Sequence, residues 1–200
     1  MRNLSHYPIP EHYDISALYK KDSSDIETLS ILTNSLPYVK PASYNQREII
    51  EKILSLSEQT AITAPIETIE MLGKAALWVG TDYISQFARN ILIIQKYAIE
   101  ANPDKALAAM EHSFMACYCT VVRKMHENAQ LKGKCIEWQR QMFGSIIQTI
   151  ENNPFINPTI TANTLKLSEL ITDLNDDLAE INGKIKYKLF QISEYNLLPN

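Results

Sequence analysis

From position 63 onward the apolar residues of this chain recur at alternating spacings of three and four. Ile69, Leu72, Ala76, Val79, Tyr83, Phe87, Ile91, Ile94 and Ala98 form one such series. Leu107, Met110, Phe114, Cys117, Val121, Met125, Asn128, Leu131, Cys135, Trp138, Met142, Ile146 and Ile150 form a second, and Leu167, Ile171, Leu174, Leu178, Ile181, Ile185 and Leu189 a third. A 3.5 to 3.6 residue period puts each series on one helix face, and such a face is stable only when buried against another helix. The pattern excludes a sheet, whose apolar residues alternate with a period of two. With only five glycines in 200 residues, the chain is also short of the positive-φ positions that many tight turns require.

Punctuation divides these series into elements. Ser24 and Glu27 form a capping box for a short helix over about Asp25–Leu36, ended by Pro37 and Pro41. Ser43 and Gln46 repeat that chemistry for a second short helix to about Ser57. Thr63 as cap and Pro65 in the first turn open a long helix from about Ala64 to Ala101. Asn102-Pro103 is an N-cap followed by an N1 proline, and restarts the chain as a second long helix to about Asn152. Asn157-Pro158 opens a third, to about Ser193.

The short connections predict an all-α, elongated antiparallel bundle of three long helices with two short N-terminal helices, a rod of about 50 to 75 Å at 1.5 Å per residue. Residues 1–22, which carry Pro8, Pro10 and several tyrosines, read as an irregular arm, and 23–200 as a single bundle domain. Gly73 and Gly80, seven apart beside the same seam, suggest a close helix approach or a flexible joint.

Charge and composition narrow the function. A net charge of -4 lacks the basic excess of nucleic-acid binders, so no nucleic-acid partner is expected. The first twenty residues hold no apolar signal-peptide core, and no apolar run approaches the roughly 20 residues that cross a bilayer. A cytoplasmic protein is expected, with leaderless export left open. Three cysteines, Cys117, Cys119 and Cys135, make an odd number for a disulfide framework. Cys117 and Cys135 would lie about 27 Å apart on one helix, so free buried thiols are expected.

No catalytic or metal motif emerges. His112 and His126 are about 21 Å apart along a helix, and neither has a glutamate three residues before it, so the di-iron Glu-x-x-His arrangement is absent. Arg123 and His126 miss the somewhat longer spacing of one class of helical nucleases. Asp173, Asp176, Asp177 and Glu180 resemble an aspartate-rich magnesium motif without the facing acidic cluster it needs, and Glu180 with Lys184 reads as a solvated face. Cys117-Tyr118-Cys119 has neither redox nor zinc spacing. Lys184, Lys186 and Lys188 suit the negative end of a helix dipole. No catalytic residue, metal ligand or cofactor is therefore assigned.

The stretch from Tyr83 to Met125 is similar in layout to phasins, helical proteins that coat polyhydroxyalkanoate granules. The resemblance is carried by two amphipathic helices about Asn102-Pro103-Asp104-Lys105-Ala106, followed by Phe114. It covers about a fifth of the chain and implies an all-α granule coat. The tyrosine-rich leader and isoleucine-rich helices depart from that family's character. The layout also resembles the tail bundles of leaderless α-helical pore-forming toxins; no apolar hairpin is present to serve as an inserting head, so the resemblance implies a toxin subunit whose partner subunit supplies one.

The expected function is non-enzymatic: binding of a protein partner, self-association, or contact with an apolar or membrane surface through amphipathic helices. Trp78, Tyr83, Phe87 and Trp138 are the candidate contact residues, with a place in the core as the favoured alternative for each. An enzyme with an unfamiliar helical active site is the rival class, to be recognised by convergent polar groups in a cavity.

Overall fold

The structure is a computed structural model, which describes residues 9–10, 13–20 and 22–122 together with Glu137, Trp138, Gln141, Gly144, Gln148 and Asn152. The described residues contain helices and no strand. They form α1 (Asp25–Ser35), α2 (Tyr44–Thr60), α3 (Pro65–Ala76), α4 (Thr81–Ala101) and α5 (Pro103–Val122). The third long helix expected from 157 lies outside the described residues, as does most of the second beyond Val122; the six isolated residues that are described there are helical.

Several boundaries follow from local chemistry. At α1 both halves of the capping box form: the Ser24 amide donates to Glu27 Oε2 at 2.9 Å, and the Glu27 amide to Ser24 Oγ at 3.4 Å. At α2 only half of a box forms. The Gln46 amide donates to Ser43 Oγ at 3.2 Å, but the Gln46 side chain turns elsewhere. At α5 Asn102 Oδ1 accepts from the Lys105 amide at 3.0 Å, ahead of Pro103 in the first turn.

Three expectations need correction. The helix expected over Ala64–Ala101 is two helices, broken at residues 77–80. Lys74 in the last turn of α3 and Asp82 in the first turn of α4 each complement the dipole of a separate helix, and Gly80 occupies the N-cap of α4 with φ -76° and ψ 167°. The cap of α3 is Ala64, which makes no side-chain cap bond, rather than Thr63; Pro65 follows it as expected. The arm is not wholly irregular. Asp14 caps a 3-10 turn at Ile15–Leu18, its Oδ1 accepting from the Ser16 amide at 2.9 Å, and Ile15 is buried in the core.

One core joins these elements. Leu29, Leu32, Ile49, Ile53, Ile69, Leu72, Ile84, Phe87, Leu107 and Met110 are all fully buried in it. α3 packs against α5, α4 and α1, and α4 packs against α5. α3 and α5 approach so closely that a Cβ added to Gly73 would stand 2.7 Å from Ser113 Cα and 2.8 Å from Ser113 Cβ. At this crossing Ser113 Oγ donates to the Ile69 carbonyl at 2.8 Å. Polar contacts also bind α4 and α3 to α2. Asn90 Nδ2 donates to Ser57 Oγ at 3.0 Å between α4 and α2, and Thr68 Oγ1 lies 2.8 Å from Thr60 Oγ1 between α3 and α2. Ala42, between α1 and α2, has φ 60°, a left-handed conformation unfavourable for a residue with a Cβ.

Candidate interaction surface

Hydrogen bonds draw four segments to one end of the fold. Buried Gln46, in the first turn of α2, accepts from the Ala42 amide at 2.7 Å through Oε1 and donates to the Trp78 carbonyl at 3.0 Å through Nε2. One side chain thus ties the α1–α2 connection to the α3–α4 corner. The arm joins the same end: the Ile9 amide donates to the Tyr38 carbonyl at 3.3 Å, and Asn45 Nδ2 donates to the Pro10 carbonyl. Four large apolar side chains stand exposed on these segments: Tyr38, Tyr44, Leu77 and Trp78, with Tyr44 65% and Trp78 49% exposed. Ile62, at the turn between α2 and α3, and Ile93, on α4, are exposed away from that end.

The four residues picked out in the sequence separate accordingly. Trp78 is exposed at the corner. Tyr83 is half-buried and packs against the core, as does Trp138. Phe87 is fully buried, so in the folded chain it is a core residue and not a surface contact. The structure does not bring these four together on one exposed surface. Sequence reasoning missed Tyr38, Tyr44 and Leu77. Leu77 and Trp78 fall off the seam formed by Ala76, Val79 and Tyr83, while Tyr44 is the first helical residue after the Ser43 cap. For Leu77, as for Trp78, a large apolar residue off the buried stripe is the available signal.

Among the described residues no group of three or more His, Cys, Asp or Glu side chains is placed to hold a metal ion. Cys117 is buried and His112 is exposed. Among the described residues two carboxyls are shifted, both downward and both by local capping. The Ser16 hydroxyl and then its amide lower Asp14; the Ser24 amide and then its hydroxyl lower Glu27. An open cleft of about 600 Å³ between the arm and α1 is lined by Leu18, Tyr19, Lys20, Asp22, Glu27 and Ile31 among others. Of the two carboxylates in this lining, Asp22 and Glu27, Glu27 is engaged in the cap of α1. Among the described residues no helix is long and apolar enough to cross a membrane.

No family model matches this chain, and neither a curated protein nor a solved structure is significantly similar to it.

Proposed function

We propose that this protein is a non-enzymatic helical binding module, and that its contact surface is the end of the fold carrying Tyr38, Tyr44, Leu77 and Trp78. The observation behind this reading is the exposure of large aromatic and apolar side chains on segments that Gln46 and the arm hold together. Exposed aromatic groups on a backbone held by part-buried hydrogen bonds suit protein recognition, because they lose little side-chain entropy on contact. Interaction with another protein or with a second copy fits this chemistry, in a cytoplasmic setting and without a cofactor. We further propose that the chain beyond Val122 continues the antiparallel arrangement read from the sequence.

The test replaces Tyr44 and Trp78 with serine. Both are surface side chains, so the double variant keeps its helical circular dichroism and thermal midpoint. It loses at least tenfold in affinity for whichever partner co-purifies with the wild type, and an unchanged affinity would sink the reading.

A granule-coating role is a second reading, favoured by the Asn102 cap and Pro103 at the junction of α4 and α5, the place where the phasin-like layout tends to carry a short proline loop. Co-sedimentation with polyester granules and with liposomes, at low and high salt, separates it from protein binding. A coat protein pellets with granules whether or not Trp78 is present; failure to pellet under every condition removes this reading.

A further inference from the structure

We propose that the corner between α3 and α4 is a two-state hinge, through which two copies of this chain exchange α4 and α5. The sequence and the fold disagree at this corner, and the disagreement has a physical content. The apolar series Ile69, Leu72, Ala76, Val79, Tyr83, Phe87 and Ile91, buried except for half-buried Tyr83, keeps its helical spacing across residues 77–80 although α3 ends at Ala76 and α4 begins at Thr81. The connection between α1 and α2 is marked by two prolines, Pro37 and Pro41, which a continuous helix would not tolerate. The α3–α4 corner holds no proline, and its lone glycine, Gly80, sits at φ -76° with nothing within 4 Å of a Cβ built on it. The corner therefore needs no residue type that a continuous helix would reject outright.

The bonds that hold the corner have direct helical replacements. The Trp78 carbonyl now accepts from Gln46 Nε2. In a continuous helix it would accept from the Asp82 amide, and the Leu77 carbonyl from the Thr81 amide. Straightening separates α3 from α4, and α4 with α5 from the face of α3 they now cover. Those faces, including the Gly73–Ser113 crossing, are fully re-formed only by the same elements of a second copy. The occupant is thus a copy of this chain, and the exchanged form differs from the closed one chiefly at residues 77–80. The inference stands independently of the binding surface proposed above, because its test reads mass and intrachain distance rather than partner affinity.

Two substitutions push the corner in opposite directions. Gly80→Ala favours helix through the corner and meets no steric conflict in the closed form. Thr81→Pro fits the closed form, since position 81 is the first residue of α4 and Gly80 already has the extended ψ that precedes proline. In a continuous helix that proline would remove the bond to the Leu77 carbonyl and clash with it. The full-length wild type and both variants are unfolded in denaturant, refolded at high protein concentration, and sized by chromatography with mass determination. Spin labels are then introduced at exposed Glu67 and Glu100 by non-canonical residues, leaving the three cysteines untouched, and diluted with unlabelled chain.

The expected result is a dimer fraction several-fold above wild type for Gly80→Ala and below wild type for Thr81→Pro. In the dimer the intrachain label distance becomes about 50 Å, the length of a continuous helix over that span, and in the monomer it is far shorter. Equal mass distributions for all three proteins would overturn the proposal. So would a dimer whose labels keep the monomer distance, since that dimer would arise from surface contact without exchange.

Discussion

At Gly73 the competition between helix propensity and packing has a definite sign. Alanine there would favour the helix by about 1 kcal/mol. Its Cβ would also stand 2.7 Å from Ser113 Cα, a backbone atom of α5 that cannot yield as a flexible side-chain end would. Overpacking of this kind costs about 1 to 3 kcal/mol, so Gly73→Ala is expected to destabilise on balance, as a lower denaturant midpoint. Glu27 is a second residue with a predictable sign. Its carboxyl is lowered in the folded chain by the Ser24 amide and hydroxyl. The stabilisation is therefore fully present above the ordinary glutamate range and is lost as pH falls through the lower folded value. Glu27→Gln removes the charge while keeping an acceptor for the Ser24 amide. The stability gap between wild type and variant, measured by denaturant titration, should be constant near neutral pH and close in acid. A gap that persists unchanged in strong acid would show that the charge is not its source.

Gln46 sets the relation between elements. It is buried, and its amide group serves the Ala42 N–H on one side and the Trp78 carbonyl on the other. Gln46→Leu preserves bulk but leaves both backbone groups without that partner, at a cost of about 1 to 3 kcal/mol for each group that water cannot reach. Gln46→Glu keeps only the acceptor and should fall between the two. A leucine variant as stable as wild type would mean that solvent satisfies both groups. The same residue explains why the corner was hard to read. Helix starts fixed within four residues of a cap, as at Ser24, Ser43 and Asn102, are legible because donor and acceptor are sequence neighbours. The break after Ala76 depends partly on a side chain 32 residues upstream, and no local pattern announces that. Local signs exist in Gly80, read from the sequence as a candidate joint, and in Lys74 and Asp82, but the unbroken apolar period outweighs them. The buried stripe itself was legible, since burial follows period; exposure of Tyr38 and Tyr44 was not, because it depends on which segments happen to end beside one another.

Across the molecule, the arm decides where the cooperative unit begins. Sequence marks the arm as separate, because Pro8 and Pro10 interrupt any helical pattern. The structure places Ile15 within the core, while Ile9, Leu18 and Tyr19 pack partly buried against it. Burial of that kind couples the arm to the global transition, whereas a segment held by surface bonds alone would open locally. Ile15→Ala discriminates the two cases. If the arm belongs to the cooperative core, the substitution lowers global stability by about 2 kcal/mol or more, and the denaturant midpoint falls with an unchanged slope. If the arm is an appendage, the midpoint stays where it was while proteolysis within the first twenty residues accelerates. The core position of Ile15 predicts the first outcome. It also predicts that cleavage in the arm and loss of helical circular dichroism rise together with denaturant, because the same side chain closes both the arm and the core.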